Sequence, residues 1–309
     1  MSKTHKVSVI TDVSSATSVQ DITRLSGTDW EVLNVPARLE GSEETGGFSA
    51  LVRSDTRTPL AFVSERFRAT SHRRQLSVLS GLLEAGIITP AQVVSWDNGA
   101  VLAYQFRIPR MEALVAPGGS SAEHISTMLT MFFSHGYRMS DMTLLTGYRE
   151  SSSSHMGRFC SLDGARVAHR GETNMLSASE LSGHIDSLAA AAMDRRGLMN
   201  SMANKEMGPR ALLDFVGYAL GASDEDCDKA WVSAPEDLTG LSERIPQVLE
   251  CWQNDECGAP GTVWQALNAV ATYTTHVAGR NAPSRLRSAL LGANSQVLAR
   301  AWRAASEAV

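Results

Sequence analysis

The strongest constraint on this chain is a change of period partway along it. Up to about residue 160 the apolar residues come in short β-rich runs, and beyond about residue 176 they recur at helical spacing. "WEVLNVPA", "SALVR" and "PLAFVS" have strand length and are separated by Gly, Ser and Asp, the residues that end strands. "AQVVSWDNGAVLAYQFRI" holds two further runs around Asp97-Asn98-Gly99, and Asn-Gly turns hairpins because both residues tolerate positive φ. In the second run Tyr104, Phe106 and Ile108 share one face, with Gln105 and Arg107 on the other. A second hairpin is predicted through "TMLTMFFSHGYRMSDMTLLTGYR", turning near His135-Gly136, and "ESSSSHMG" reads as a mobile polar segment. One helix interrupts the strands. Leu76, Leu79, Leu82 and Leu83 recur at helical spacing and Gly86 supplies the stop.

In the second half, Leu181, Ile185, Leu188 and Ala192 trace one face of a helix that Ser177 can cap. "GPRALLDFVGYALG" suits a short helix with proline near its start and Gly221 at its end. Segments 239–254, 262–279 and 284–307 complete the helical set. Strands first and helices afterwards predict an α+β fold, an N-terminal antiparallel sheet with packed helices followed by a mainly helical half. The corresponding organisation is a flexible segment 1–18, a mixed α/β part 19–175 and a helical part 176–309, continuous with the part before it or separate from it.

Composition narrows the function classes. A hydrophobic fraction of 43% with 20% charged residues belongs to a folded chain, and no run approaches the length of about 18 apolar residues that crosses a bilayer. The N-terminal "MSKTHKVSVITDVSSATS" lacks the apolar stretch of a signal peptide, which points to the cytoplasm and away from membranes. Cys160, Cys227, Cys251 and Cys257 form no CxxC pair, so reduced structural thiols are expected rather than a metal site. Nucleotide loops, GxGxxG, HExxH and GxSxG are all absent, and no two histidines stand at metal-ligand spacing on a helix. Ser154 beside His155 is adjacency in sequence, which does not make a nucleophile and its base. Neither a cofactor nor catalysis is expected.

Charge is unevenly spread over a net −5. Residues 224–256 hold ten acidic side chains against Lys229 and Arg244, whereas residues 53–74 hold six arginines against Asp55 and Glu65. Local asymmetry of this kind permits an anion-binding face on an acidic protein, and internal pairing of the two surfaces is the alternative. In "ERFRATSHRR", Arg66, Arg68, Arg73 and Arg74 are joined by His72, with Tyr104, Phe106 and Arg107 following on a strand. Arginines that hold phosphates beside rings that stack on bases are what single-stranded nucleic acid requires. Tyr104 and Phe106 could equally be a sheet's core face.

Between Glu256 and Arg280 the chain has no Asp, Glu, Lys or Arg. As a helix, "GTVWQALNAVATYTTHVAGR" gathers Gln265, Asn268, Thr272, Thr275 and His276 into one uncharged polar stripe. A buried hydrogen-bonding seam explains that pattern best, closed by the arginine-rimmed final helix that carries Leu286, Leu290, Val297, Ala301 and Trp302. An active site along the stripe is the weaker reading, with His276 its one titratable group.

The same stretch carries a family resemblance. Gly261, Thr262, Trp264, Asn268, Ala269, Tyr273 and His276, followed by "RLRSALLGANSQVLARAW", resemble the C-terminal signature of the phage/plasmid-like protein family, domain-of-unknown-function family 932. "TDWEVLNVPA", "ALVRSDTRTPLAFVSERFRA" and "VVSWDNGAVLAYQFRIP" follow that family's order of segments, so the resemblance runs from about Val19 to the end. Its middle departs from the family pattern, keeping only "SHGYR" and "GRFCSLDG", with Arg158 and Cys160 as remnants. The resemblance implies a setting in mobile-element DNA metabolism and no catalytic residues. Together with the arginines it predicts non-catalytic binding of single-stranded DNA, annealing- or recombination-like, by a homo-oligomer in a bacterial host cytoplasm. A protein–protein assembly factor, its acidic 224–256 segment meeting a basic partner, is the alternative.

Overall fold

The computed structural model describes residues 7–38, 45–67, 69, 71–116, 122–136, 141–161, 177–233, 238–255 and 259–309. The fold is α+β, with antiparallel sheets in the N-terminal half and most of its helices in the C-terminal half. Contacts divide the chain into two units. Unit 1 is Met1–Arg110, Met128–Leu145 and Cys160–Ser187; unit 2 is Met111–Thr127, Thr146–Phe159 and Leu188–Val309.

Unit 1 begins with β1 (Val9–Asp12), α1 (Val19–Leu25), β2 (Val32–Arg38), β3 (Thr45–Arg53) and β4 (Pro59–Ser64). It continues with α2 (His72–Leu76), α3 (Ser80–Glu84), β5 (Thr89–Trp96) and β6 (Val101–Arg107). The segment expected to be flexible is ordered from Val9, because β1 pairs antiparallel with β5, Ile10 opposite Val94. The β5–β6 hairpin turns where Asn-Gly predicts, with φ of 53° at Asp97, 63° at Asn98 and 96° at Gly99. Gly99 is needed twice over, since a Cβ there would stand 2.6 Å from the Trp30 ring.

Next come β7 (Ala113–Val115), β8 (Glu123–Ser134), β9 (Met142–Arg149) and β10 (Ser154–Ser161). β6 pairs with β8, β8 lies beside β9 and β9 beside β10, while β7 pairs with the first residues of β8. β8 and β9 carry residues of both units. The stretch expected to be mobile is therefore a one-turn helix, Glu150–Ser152, leading into a strand. Its serines satisfy one another, Ser152 Oγ donating to Ser154 Oγ at 2.9 Å, which a reading of polarity alone does not foresee.

The remaining helices are α4 (Ala178–Asn204), α5 (Pro209–Leu220), α6 (Asp224–Val232), α7 (Leu241–Gln253), α8 (Val263–Thr272), α9 (Ala282–Leu291) and α10 (Ala293–Glu307). Ser177 caps α4 as predicted: its Oγ accepts from Glu180 N–H at 3.2 Å while Glu180 accepts from Ser177 N–H at 2.7 Å. α5 starts at Pro209 and ends on Gly221 in the left-handed region, φ 75°. α6 was not expected. Asp224, Glu225 and Asp226 occupy its first turn, where the helix dipole favours acids, and Ser223 with Asp226 forms a capping box. The final helix is two, broken at Gly292, whose backbone is extended between α9 and α10.

α8 is the centre of unit 2. Every residue from Val263 to Ala271 is buried, and α5, α7 and α10 pack around it. Trp264, Leu267 and Val270 join Leu213, Val216, Ile245, Val248, Val297 and Ala301 in one core. A helix covered on all sides has no solvent face on which to place a charge, and an unpaired buried charge would be expelled or neutralised.

Beside it, α5 and α6 approach closely. A Cβ on Gly217 would stand 2.2 Å from Cys227 Sγ, while both helices keep ordinary backbone geometry. Gly217→Ala gains up to about 1 kcal/mol of helix propensity but overpacks the contact by about 1–3 kcal/mol. We expect a net loss in urea unfolding that disappears when the same change is made in a Cys227→Ala background. An undiminished cost in that background would refute the packing argument.

Candidate nucleic-acid interface

The predicted interface divides into residues that reach solvent and residues that do not. Arg66 follows β4 in an exposed turn, Arg74 is exposed on α2, and Arg107 is half-buried at the end of β6. Arg73 lies 3.5 Å from Glu31 and donates to the Asp29 carbonyl at 3.3 Å. Arg68 lies outside the described residues.

The two expected stacking rings are core residues. Tyr104 is 0% exposed and Phe106 1% exposed, because β6 runs between β5 and β8 with residues 101–106 covered on both faces. Tyr104 donates its hydroxyl to Thr28 Oγ1 at 2.7 Å, and burial raises its pKa well above the usual value. Neither ring can stack on a base, so neither belongs to an interface. His72 also leaves the basic patch. Its ring is buried beside Trp30, at 4.8 Å between centroids, with Nε2 2.8 Å from the Thr28 carbonyl. Burial holds its pKa below the ordinary histidine value, so it anchors α2 as a neutral ring.

Sequence reasoning missed a different pair. β2, β3 and β4 form a three-stranded antiparallel sheet whose inner face buries Leu51 and Val63 against Phe67. Strand alternation turns Phe48 and Phe62 the opposite way, 58% and 69% exposed. Phe48 stands opposite Ser64 and Phe62 opposite Ala50, so the two rings are diagonal neighbours, roughly 7–8 Å apart along one face. Val35, opposite Ala50 and partly exposed, extends that face onto β2. The signal was present as apolar residues of both parities in "GFSALVR" and "PLAFVS", but only packing decides which parity is covered.

Arg53, at the end of β3, is already engaged. It bonds Asp55 at 2.6 Å, holding that carboxyl at about 2, and its guanidinium sits 4.5 Å above the Trp30 ring.

In unit 2 the polar stripe is only partly the expected seam. Gln265 is buried and bonded, accepting from Gly261 N–H at 2.8 Å and donating to the Trp252 carbonyl at 2.9 Å. Asn268 is buried, and its amide has no hydrogen-bond partner among the described residues. Thr275 and His276 lie in a π-helical turn, Tyr273–Val277, that brings His276 to the surface. There Ser154 Oγ and His276 Nδ1 are 3.5 Å apart, while His276 Nδ1 is 2.8 Å from Thr275 Oγ1. That separation makes a polar contact rather than a nucleophile and its base. Among the described residues no three His, Cys, Asp or Glu converge on a metal position, and no helix is long and apolar enough to cross a membrane. Cys227 and Cys251 are free and buried; Cys257 lies outside the described residues.

Compared with family models, with curated proteins and with solved structures, the chain finds no match.

Proposed function

We propose that this protein binds single-stranded nucleic acid, without catalysis, on the outward face of β2, β3 and β4. The observation that supports the reading is the diagonal pair Phe48 and Phe62 on an uncovered sheet face, with exposed Arg66 at the end of β4. Rings at that spacing offer successive bases a sequence-tolerant platform, and arginine supplies phosphate contacts. Arg74, Arg73 and Arg107 extend the basic set, and Arg73 is held by Glu31 and the Asp29 carbonyl. A role in phage or mobile-element DNA metabolism, in a bacterial cytoplasm and through a homo-oligomer, rests on the sequence resemblance alone.

Fluorescence anisotropy with a labelled oligodeoxythymidine at several salt concentrations tests this reading. Affinity should fall linearly in log salt. Phe48→Ala and Phe62→Ala should each weaken binding by about 1–3 kcal/mol, and Arg66→Ala should flatten the salt dependence by roughly one phosphate contact. Absence of binding at low salt, or undiminished binding by the Phe48/Phe62 double variant, would sink the proposal.

One observation favours the assembly reading. Trp231 and Val232, 55% and 79% exposed, end the acidic helix α6, where a basic protein could meet both charge and apolar surface. Light scattering after nuclease treatment would then show an oligomer that Trp231→Ser disperses.

A further inference from the structure

Strand β4 ends the β2–β3–β4 sheet, and a small open pocket lies beside it, within unit 1. Its volume is about 320 Å³, at the lower limit of small-molecule sites. β4 lines it with Leu60, Ala61 and Phe62, the turn before β6 adds Ala100, and the end of β8 adds Ser134 and Gly136. Gly136 lies so close to β4 that a Cβ there would stand 3.0 Å from the Ala61 Cβ. No Asp, Glu, Lys or Arg is among the described residues of the wall. His135 also borders the pocket, but its ring packs against Trp30 and His72, at 5.5 and 5.2 Å between centroids. The polar side chain left is Ser134, whose Oγ donates to the Gly136 carbonyl at 3.4 Å.

Two cations flank the same strand. Arg57, in the turn before β4, has φ 56°, in the left-handed region that residues other than glycine seldom occupy. A glycine would hold that turn without the strain, so the turn alone does not call for an arginine. Arg57 is exposed and forms no ion pair among the described residues. Asp55, two positions earlier, is already bonded by Arg53 at 2.6 Å. Arg66, beyond the other end of β4, is likewise exposed and without an ion pair among the described residues. The six residues of β4 hold the two arginines about 20 Å apart or somewhat more.

These facts decide what the pocket takes. A phosphate would lose its water there without gaining a counter-charge, so anionic groups belong outside it. A neutral planar ring suits the uncharged wall, and Phe62, 69% exposed, offers it a π-face. An apolar side chain of a protein partner would fill the same space but leave the two flanking arginines without a counter-charge. A phosphodiester chain supplies both the ring and the charge.

We propose that a single strand of nucleic acid runs along β4, its phosphates held by Arg57 and Arg66 and one base inserted into the pocket against Phe62. The inference rests on the nucleic-acid reading above and adds to it a path, a further phosphate contact and a base-binding pocket.

Fluorescence anisotropy on the full chain, with labelled oligodeoxythymidine and with an abasic strand of the same length, tests the proposal. Ala100→Leu fills the pocket from its wall. It should weaken oligodeoxythymidine roughly tenfold, the scale of one stacked base, and leave the abasic strand unchanged. Should that variant melt well below the parent, Ala100→Val makes the same comparison with a smaller side chain. Arg57→Gly keeps the left-handed turn, so it should not lower the melting temperature. It should weaken both strands and flatten the salt dependence by about one phosphate contact. Equal effects of the Ala100 variants on the two strands, or an unchanged salt dependence in Arg57→Gly, would overturn the assignment. If the parent binds neither strand at low salt, the nucleic-acid reading itself falls and the pocket with it. If Phe48→Ala and Phe62→Ala weaken oligodeoxythymidine while filling the pocket does not, the base-binding pocket alone is refuted.

Discussion

Arg149→Leu is expected to lower the unfolding free energy by about 3–5 kcal/mol, the largest single-residue effect we foresee. The substitution keeps an apolar stem but strips Glu123 and Asp255 of the cation between them, leaving two carboxylates buried together. The cost lies mainly in that uncompensated charge rather than in a lost bond, which gives it a signature. Neutralising the pair should repair it. Arg149→Leu combined with Glu123→Gln and Asp255→Asn should recover a large part of the loss, because an intact buried ion cluster is often no better than a neutral one of similar volume. Urea unfolding of the single and triple variants decides the matter. A deficit that the triple variant does not repair would mean Arg149 acts by packing alone.

The second large effect is an acid transition centred on His155. This ring is buried, edge-on to Tyr148 at 5.1 Å, and desolvation, followed by the nearby charge of His276, lowers its pKa from 6.5 to about 4. The folded state therefore refuses a proton that the unfolded chain accepts. Above about pH 6.5 both states are neutral at this position and nothing is lost; as the pH falls from there toward about 4, stability drops. The drop is bounded at about 3 kcal/mol, from the width of that window. His72, also displaced downward by burial, adds in the same direction. Carboxylates act in a separate window: Asp55, held at about 2 by Arg53, loses its contribution only as the pH falls below its usual 3.8. His155→Phe keeps the aromatic contact and removes the titration. Its unfolding free energy should vary less between pH 6.5 and 4 than that of the parent. An unchanged slope would show that His155 is accessible to protons in the folded protein.

These expectations rest on features with different legibility in the sequence. Strands β2–β6, β8 and β9, the Asn-Gly hairpin, the Ser177 cap and the Pro209–Gly221 limits of α5 were readable, since each depends on residues a few positions apart. The α6 helix is masked in the sequence by its acidic first turn, although Ser223 three residues before Asp226 is a local cap signal. The break at Gly292 was less legible, since a glycine within a helical pattern is often tolerated.

The uncharged stretch shows where reading by position stops. Its lack of charge implied a buried hydrogen-bonding seam, and Val263–Ala271 are buried, a consequence of desolvation that any fold must obey. Where its polar groups would find partners did not follow. Gln265 bonds locally and was foreseeable, whereas Asn268 has no bond among the described residues and His276 is carried outward by a π-turn.

What the sequence carried, then, was period, caps, turns and the placement of charge along the chain, all set by near neighbours. Only the tertiary structure decided which faces are covered. β6 has strands on both sides and residues buried on both faces, so Tyr104 and Phe106 became core. One face of the β2–β4 sheet is left open, so Phe48 and Phe62 became surface. Nor could spacing bring Glu123, Arg149, Asp255 and Trp264 together, because a buried charge selects its partners by distance in space.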